Sequence, residues 1–218
     1  MEQSSRAPRY GWQGRLVHLL LALALAWPVQ AVARTRLIWA FGDSLTAGYG
    51  LPPAQGFTAQ LEAALNRDGM AARVANGGVA GDTAAQARAR LLWGLRGLGA
   101  VPDLAIVELG ANDMLRGLPP AQAQANLDMI LAAFRARHIP VLLAGMRTAP
   151  NLGPDYAHAF EAIYPTLARK YRVPLYPFFL AGVAGQRALI QGDGLHPNPK
   201  GVAIVVRGIV PSVKAALR

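Results

Sequence analysis

Leu37-Ile38-Trp39-Ala40-Phe41-Gly42-Asp43-Ser44-Leu45 is a short apolar run that breaks directly into a Gly-Asp-Ser turn. The run reads as a buried strand, and four more of the same kind follow at residues 73–76, 104–109, 141–146 and 173–176. Longer segments of helical period separate them. Residues 58–66 place Leu61, Ala64 and Leu65 on one face, residues 83–95 repeat Ala87, Leu91, Leu92 and Leu95, and residues 120–137 gather Leu127, Ile130, Leu131 and Phe134. Residues 155–171 form a further helical segment, which Pro165 should kink or divide because proline removes a backbone donor. A last helix should begin at Asn198, a capping residue followed by Pro199 at the first helical position. Strands alternating with helices argue for βαβ units on a parallel sheet. Right-handed crossovers need cover on both faces, so the expected fold is a three-layer α/β/α sandwich around a five-stranded parallel sheet.

The chain has 218 residues, enough for one well-buried domain. Arg6, Arg9 and Arg15 precede an uncharged apolar stretch over residues 16–29, and Ala31-Val32-Ala33 follows. This order is that of a secretory signal peptide over residues 1–33, with cleavage expected after Ala33 and a single domain over residues 34–218. An uncleaved anchor is the alternative, although the stretch falls short of the roughly 20 apolar residues of a spanning helix. The expected location is exported, periplasmic or secreted, with no stable membrane insertion once the leader is removed. The formal net charge is +10, but the arginines are scattered and not interleaved with aromatic residues, so no nucleic-acid partner is expected. The absence of cysteine excludes disulfides, thiolate metal sites and a lipidated cysteine. A monomer is expected.

In open α/β sheets, ligands bind beyond the carboxyl ends of the strands, and every candidate residue falls there. Ser44 lies just past the first expected strand, Gly81-Asp82 past the second, Gly110-Ala111-Asn112-Asp113 past the third, and Asp193-Gly194-Leu195-His196 beyond the fifth. Serine, histidine and a carboxylate together make a weak hydroxyl nucleophile reactive: imidazole takes the serine proton, and the carboxylate fixes the imidazole's tautomer and orientation. The expected nucleophile is Ser44, although serine after a strand also suits a helix N-cap. Position favours His196 over His138 and His158 as the base, and Asp193 lies within reach of it in a Gly-containing turn. Asp43, Asp82 and Asp113 read as structural acceptors for loop amides. His138 and His158 have no partner at metal-ligand spacing, and no phosphate-cradling glycine loop is present, so no cofactor or metal is expected.

Gly42-Asp43-Ser44-Leu45, Gly78-Val79-Ala80-Gly81-Asp82, Gly110-Ala111-Asn112-Asp113 and Asp193-Gly194-Leu195-His196-Pro197 occur in this order and with the spacing of a known family. The chain resembles the SGNH (GDSL) hydrolases over nearly all of residues 34–218. It is most similar to the exported thioesterase I, lysophospholipase L1 and arylesterase group. That likeness runs through Leu45-Thr46-Ala47-Gly48-Tyr49-Gly50-Leu51, Asn112-Asp113-Met114-Leu115-Arg116-Gly117 and Met146-Arg147. The resemblance implies a flavodoxin-like sheet and an oxyanion hole built from the Ser44 N–H, the Gly81 N–H and the Asn112 side-chain amide. These residue types suit the task, since glycine lets backbone approach a substrate and a neutral amide donates without ionising. As bare residues, Gly81 also suits an ordinary turn and Asn112 an Asx-turn.

Met114, Leu115 and Leu118 follow Asn112, and Leu152 follows Met146-Arg147-Thr148. These four are expected to line an acyl groove, or else to anchor their loops on the core. The expected activity is hydrolysis of small-molecule esters and thioesters of medium- to long-chain acyl groups through an acyl-enzyme on Ser44. A carbohydrate O-acetyl esterase is the second reading. A non-catalytic exported binding module is the third, and it should lack at least one of the five residues assigned to the chemistry.

Overall fold

A computed structural model describes residues 34–218, and the expected leader over residues 1–33 lies outside the described residues. Thr35–Arg218 form one compact unit. Its sheet has five strands, β1 (Arg36–Gly42), β2 (Ala72–Gly78), β3 (Leu104–Glu108), β4 (Val141–Ala144) and β5 (Leu175–Tyr176), in the order β2-β1-β3-β4-β5. Every pairing is parallel. This is the flavodoxin-like order, in which the winding direction reverses between β1 and β3 and opens a crevice at their carboxyl ends. Ser44 follows β1 and Asn112 follows β3, so the reversal alone brings them to one place.

The helices are α1 (Ser44–Ala47), α2 (Phe57–Arg67), α3 (Ala84–Gly97), α4 (Ala111–Leu115), α5 (Pro120–Arg135), α6 (Pro154–Glu161), α7 (Ile163–Tyr171) and α8 (Pro199–Ala216). They pack in two groups, α2 with α8, and α5 with α3, α6 and α7. One group covers each face of the sheet. The side chains of β1 explain why both faces need cover, since six of its seven positions are buried. Trp39 and Phe41 share one face by strand alternation and meet Phe134 of α5 edge-on, with ring centroids 5.9 and 6.2 Å away. Each such fully buried ring stabilises the fold by roughly 1.5–3 kcal/mol relative to exposure.

Local signals account for the helix ends. At α3, Thr83 Oγ1 accepts from the Gln86 N–H at 3.3 Å while Gln86 Oε1 accepts from the Thr83 N–H at 2.9 Å, a reciprocal cap worth about 1 kcal/mol. Asn198 Oδ1 accepts from the N–H groups of Lys200 and Gly201, and Pro199 opens α8 as its position predicts. The segment carrying Pro165 is divided, and the proline falls in the first turn of α7, where its missing N–H leaves no hydrogen bond unmade. Strand β5 is shorter than its apolar run because the Val173 N–H is taken by the Ala168 carbonyl at the end of α7, at 3.0 Å. Strand β2 is longer, continuing through Gly77 and Gly78. A Cβ at Gly78 would collide with the Ala47 backbone, so the glycine lets α1, with Ser44 at its start, pack against the end of β2.

Candidate active site

Ser44 is the first residue of α1, and the helix is capped by Asp43, whose Oδ1 accepts from the Leu45 N–H at 3.0 Å. Capping therefore falls to Asp43 and leaves the Ser44 hydroxyl free for another partner. That partner is His196, whose Nε2 lies 2.9 Å from Ser44 Oγ. On the other side of the ring, His196 Nδ1 lies 2.6 Å from Asp193 Oδ2. Asp193 Oδ1 also accepts from the N–H groups of Leu195 and His196, at 2.9 and 3.0 Å. Those two N–H groups and the imidazole hold the Asp193 carboxyl down at about 2, so it is ionised wherever the enzyme is folded and near neutral. An ionised Asp193 keeps the proton on Nδ1 and turns the lone pair of Nε2 toward Ser44.

The turn bearing His196 is tied to the loop after α1. Gln191 Nε2 donates to the Tyr49 carbonyl at 2.8 Å and to the Pro197 carbonyl at 3.0 Å, while the Gln191 N–H bonds the His196 carbonyl at 2.8 Å. The Tyr49 ring lies over the imidazole, with centroids 4.7 Å apart. These contacts fix the distance between residues that are 152 positions apart in sequence.

Asn112 is in the first turn of α4, and its amide is oriented by two acceptors. Nδ2 donates to Asp43 Oδ2 and to the Asp82 carbonyl, both at 3.1 Å. Gly81 adopts a positive φ of 85°, which glycine tolerates, and its carbonyl accepts from Arg116 Nη2 at 2.7 Å. Of the three carboxylates read as structural, two behave as expected, with Asp43 capping α1 and Asp113 Oδ2 accepting from the Ala84 N–H at 2.8 Å. Asp82 instead pairs with the guanidinium of Arg90, Nε to Oδ2 at 2.5 Å. Arg90 also donates to the Gly77 and Gly42 carbonyls at 2.9 and 2.8 Å and lies 4.6 Å over the Phe41 ring. It clamps the ends of β1 and β2 beneath the site, a role its place among scattered arginines did not reveal.

Behind Asp43 lies a second buried acid. Glu108, the last residue of β3, is wholly enclosed, and the Thr46 hydroxyl bonds its Oε2 at 2.7 Å. Burial first, and then the neighbouring Asp43 charge, hold the Glu108 carboxyl well above its usual range. Burial likewise pushes Asp43 up to about 6, against the opposing pull of the Leu45 N–H, the Asn112 amide and the charge of His196.

A cavity of about 210 Å³ opens beside Ser44, Asn112 and His196. Met114 and Leu115 line it, together with Leu45, Met146, Phe178, Leu180 and Leu195. Leu118 and Leu152 do not. The Leu118 carbonyl accepts from the Tyr156 hydroxyl at 2.8 Å, and Leu152 packs against the core. Leu195 lies between Asp193 and His196 in sequence, so the motif that carries His196 also carries a wall of the cavity.

Residues 40–204 match the GDSL-like Lipase/Acylhydrolase family. The chain belongs to this family. It is 40% identical over 188 residues to the esterase TesA of Pseudomonas aeruginosa, covering 86% of this chain and 92% of that protein. It is 40% identical over 168 residues to thioesterase 1/protease 1/lysophospholipase L1 of Escherichia coli strain K12, covering 77% of each. The crystal structure of AlinE4, an SGNH-hydrolase family esterase, superposes with a TM-score of 0.72 at 49% identity, covering 85% of this chain and 98% of AlinE4. This GDSL chain is thus an ester hydrolase of the SGNH type, acting on small-molecule esters.

Proposed function

We propose that the chain hydrolyses esters and thioesters of medium- to long-chain acyl groups through an acyl-enzyme on Ser44. One observation carries the reading: Ser44 Oγ, 2.9 Å from His196 Nε2, opens onto a cavity walled by Leu45, Met114, Leu115, Met146, Phe178 and Leu180. In the first half-reaction Ser44 Oγ attacks the acyl carbonyl as its proton passes to His196 Nε2. The tetrahedral intermediate then expels the alcohol or thiol, which takes that proton. Water repeats the sequence on the acyl-enzyme, with His196 again the base, and releases the carboxylic acid. The developing oxyanion is held by the Ser44 and Gly81 N–H groups, neither of which has an acceptor among the described residues, and by Asn112. Asn112 reaches it by exchanging one of its two 3.1 Å bonds.

Export, with cleavage after Ala33, belongs to the same reading and rests on the composition of residues 1–33. The test is an acyl-chain-length series of p-nitrophenyl esters and acyl thioesters, with Ser44→Ala and fluorophosphonate labelling as controls. The expected result is a rise in kcat/KM beyond acetate, label on Ser44 alone, and no turnover in Ser44→Ala. Activity confined to acetate would favour deacetylation, and full activity in Ser44→Ala would sink the mechanism.

A further inference from the structure

The five loops that leave the carboxyl ends of the strands share one face, because all five strands are parallel. Four of them carry an exposed large apolar side chain. Tyr49 (53% exposed) follows β1, Val79 (43%) follows β2, Leu115 (47%) follows β3, and Leu195 (43%) follows β5. Leu115 and Leu195 rim the acyl cavity, and Tyr49 covers His196, so the apolar side chains ring the entrance. The exposed arginines Arg116, Arg147 and Arg187 lie in the loops after β3, β4 and β5. Of the carboxylates on the five loops, Asp43 and Asp113 are buried and Asp82 is paired with Arg90, which leaves Asp193, bound to His196, as the one exposed acid among them. Three exposed arginines against one exposed carboxylate leave the face with apolar side chains set among an excess of positive charge.

We propose that this face docks peripherally on an anionic phospholipid surface, with the cavity mouth turned toward the lipid. Exposed apolar side chains around a cleft mark an interaction surface, and the arginine fringe selects a negatively charged one. The benefit assigned to the contact, direct entry of an acyl chain from the bilayer into the cavity, rests on the acyl-hydrolase reading. The contact itself does not.

The test uses the unit from Thr35 onward, which contains the whole core and corresponds to nearly the full length of the crystallised AlinE4 chain. Carrying Ser44→Ala, so that no lipid is consumed, it should co-sediment with vesicles of mixed phosphatidylcholine and phosphatidylglycerol and not with phosphatidylcholine alone. Added salt should weaken the binding. Arg187→Gln should lower the partition coefficient about fivefold, the usual worth of one arginine at an anionic surface. Val79→Asp should lower it at least as much, whereas Trp93→Asp, 73% exposed on α3 away from these loops, should leave it unchanged. Circular dichroism melts establish that each variant is folded. Equal partition onto both vesicle types, absence of partition, or indifference to Arg187→Gln and Val79→Asp overturns the proposal. Loss of soluble-ester hydrolysis in the otherwise unaltered unit, with vesicle binding intact, would overturn the catalytic reading and leave the docking face standing.

Discussion

Asn112 donates to the buried carboxylate of Asp43 across 69 positions of sequence, Nδ2 to Oδ2 at 3.1 Å. The same carboxylate caps α1 through Leu45, so one side chain fixes both the helix that presents Ser44 and the amide proposed to meet the oxyanion. Asp43→Asn can serve only one of these two donors with an oxygen and must turn an NH₂ toward the other. We expect kcat to fall about 10- to 100-fold with KM little changed, and Asn112→Ala to lower kcat about 10²–10³-fold. In steady-state kinetics on a p-nitrophenyl ester the double variant should lose much less than the product of the two, because Asp43 acts through Asn112. Fully multiplicative losses would show that the two residues work independently.

Asp193→Asn separates orientation from ionisation. The asparagine can still accept from the Leu195 and His196 N–H groups, but it presents an NH₂ to His196 Nδ1 where a carboxylate oxygen stood. That favours the tautomer with its proton on Nε2, facing Ser44, and kcat should fall about 10⁴-fold. Fluorophosphonate labelling of Ser44 should slow in parallel. Fast labelling combined with slow turnover would place the role of Asp193 in deacylation only.

The buried acids Asp43 and Glu108 predict an unusual slope of stability against pH. Asp43 titrates at about 6 in the folded protein, whereas an unfolded aspartate titrates near 3.9, so between those values the folded state holds more protons. By linkage, the contribution of Asp43 is favourable at acid pH and is lost as pH rises toward and through about 6. Glu108 extends the same trend to higher pH, since folded Glu108 keeps a proton that the unfolded chain releases above about 4.3. Urea unfolding followed from pH 5 to pH 8 should therefore show Glu108→Gln gaining on wild type as pH rises. A pH-independent offset from the new amide leaves that slope intact, and parallel curves would show that Glu108 is ionised in the folded protein.

The sheet was legible because β1, β3 and β4 are buried on both faces and read as unbroken apolar runs. The meeting of Ser44, Asp193 and His196 was legible because they lie in compact motifs whose order matches the order of the strands. What escaped the reading depends on partners distant in sequence. Arg90 looks like any surface arginine until the fold brings Asp82, Gly77 and Gly42 to it, and Glu108 looks like the polar end of a strand until Asp43 and Thr46 enclose it. Sequence leaves Leu118 and Leu152 open between groove lining and loop anchoring because apolar residues in the two roles have the same composition. Phe178 and Leu180, which join the cavity, lie just past the short β5 in a segment without regular period.

Ala184 offers a way to measure acyl length on the molecule itself. It lines the cavity beside Ser44 and also a second one of about 650 Å³ that continues past Leu180 and Leu195 toward Arg187. The two cavities share Ala184, Leu180 and Leu195 in their linings, so an acyl chain extending from the first into the second would pass Ala184. The side chain at 184 is exposed, so a larger residue there can be accommodated without disturbing the core. Ala184→Phe should narrow the passage, leaving kcat/KM for butyrate within about twofold of wild type while reducing it for long-chain esters. Each methylene turned back into water forfeits about 0.8 kcal/mol, so exclusion of two lowers kcat/KM roughly 15-fold. Uniform loss across the chain-length series would point to disturbance of the Ser44 site, and no change at any length would mean that the acyl chain leaves the first cavity by another route.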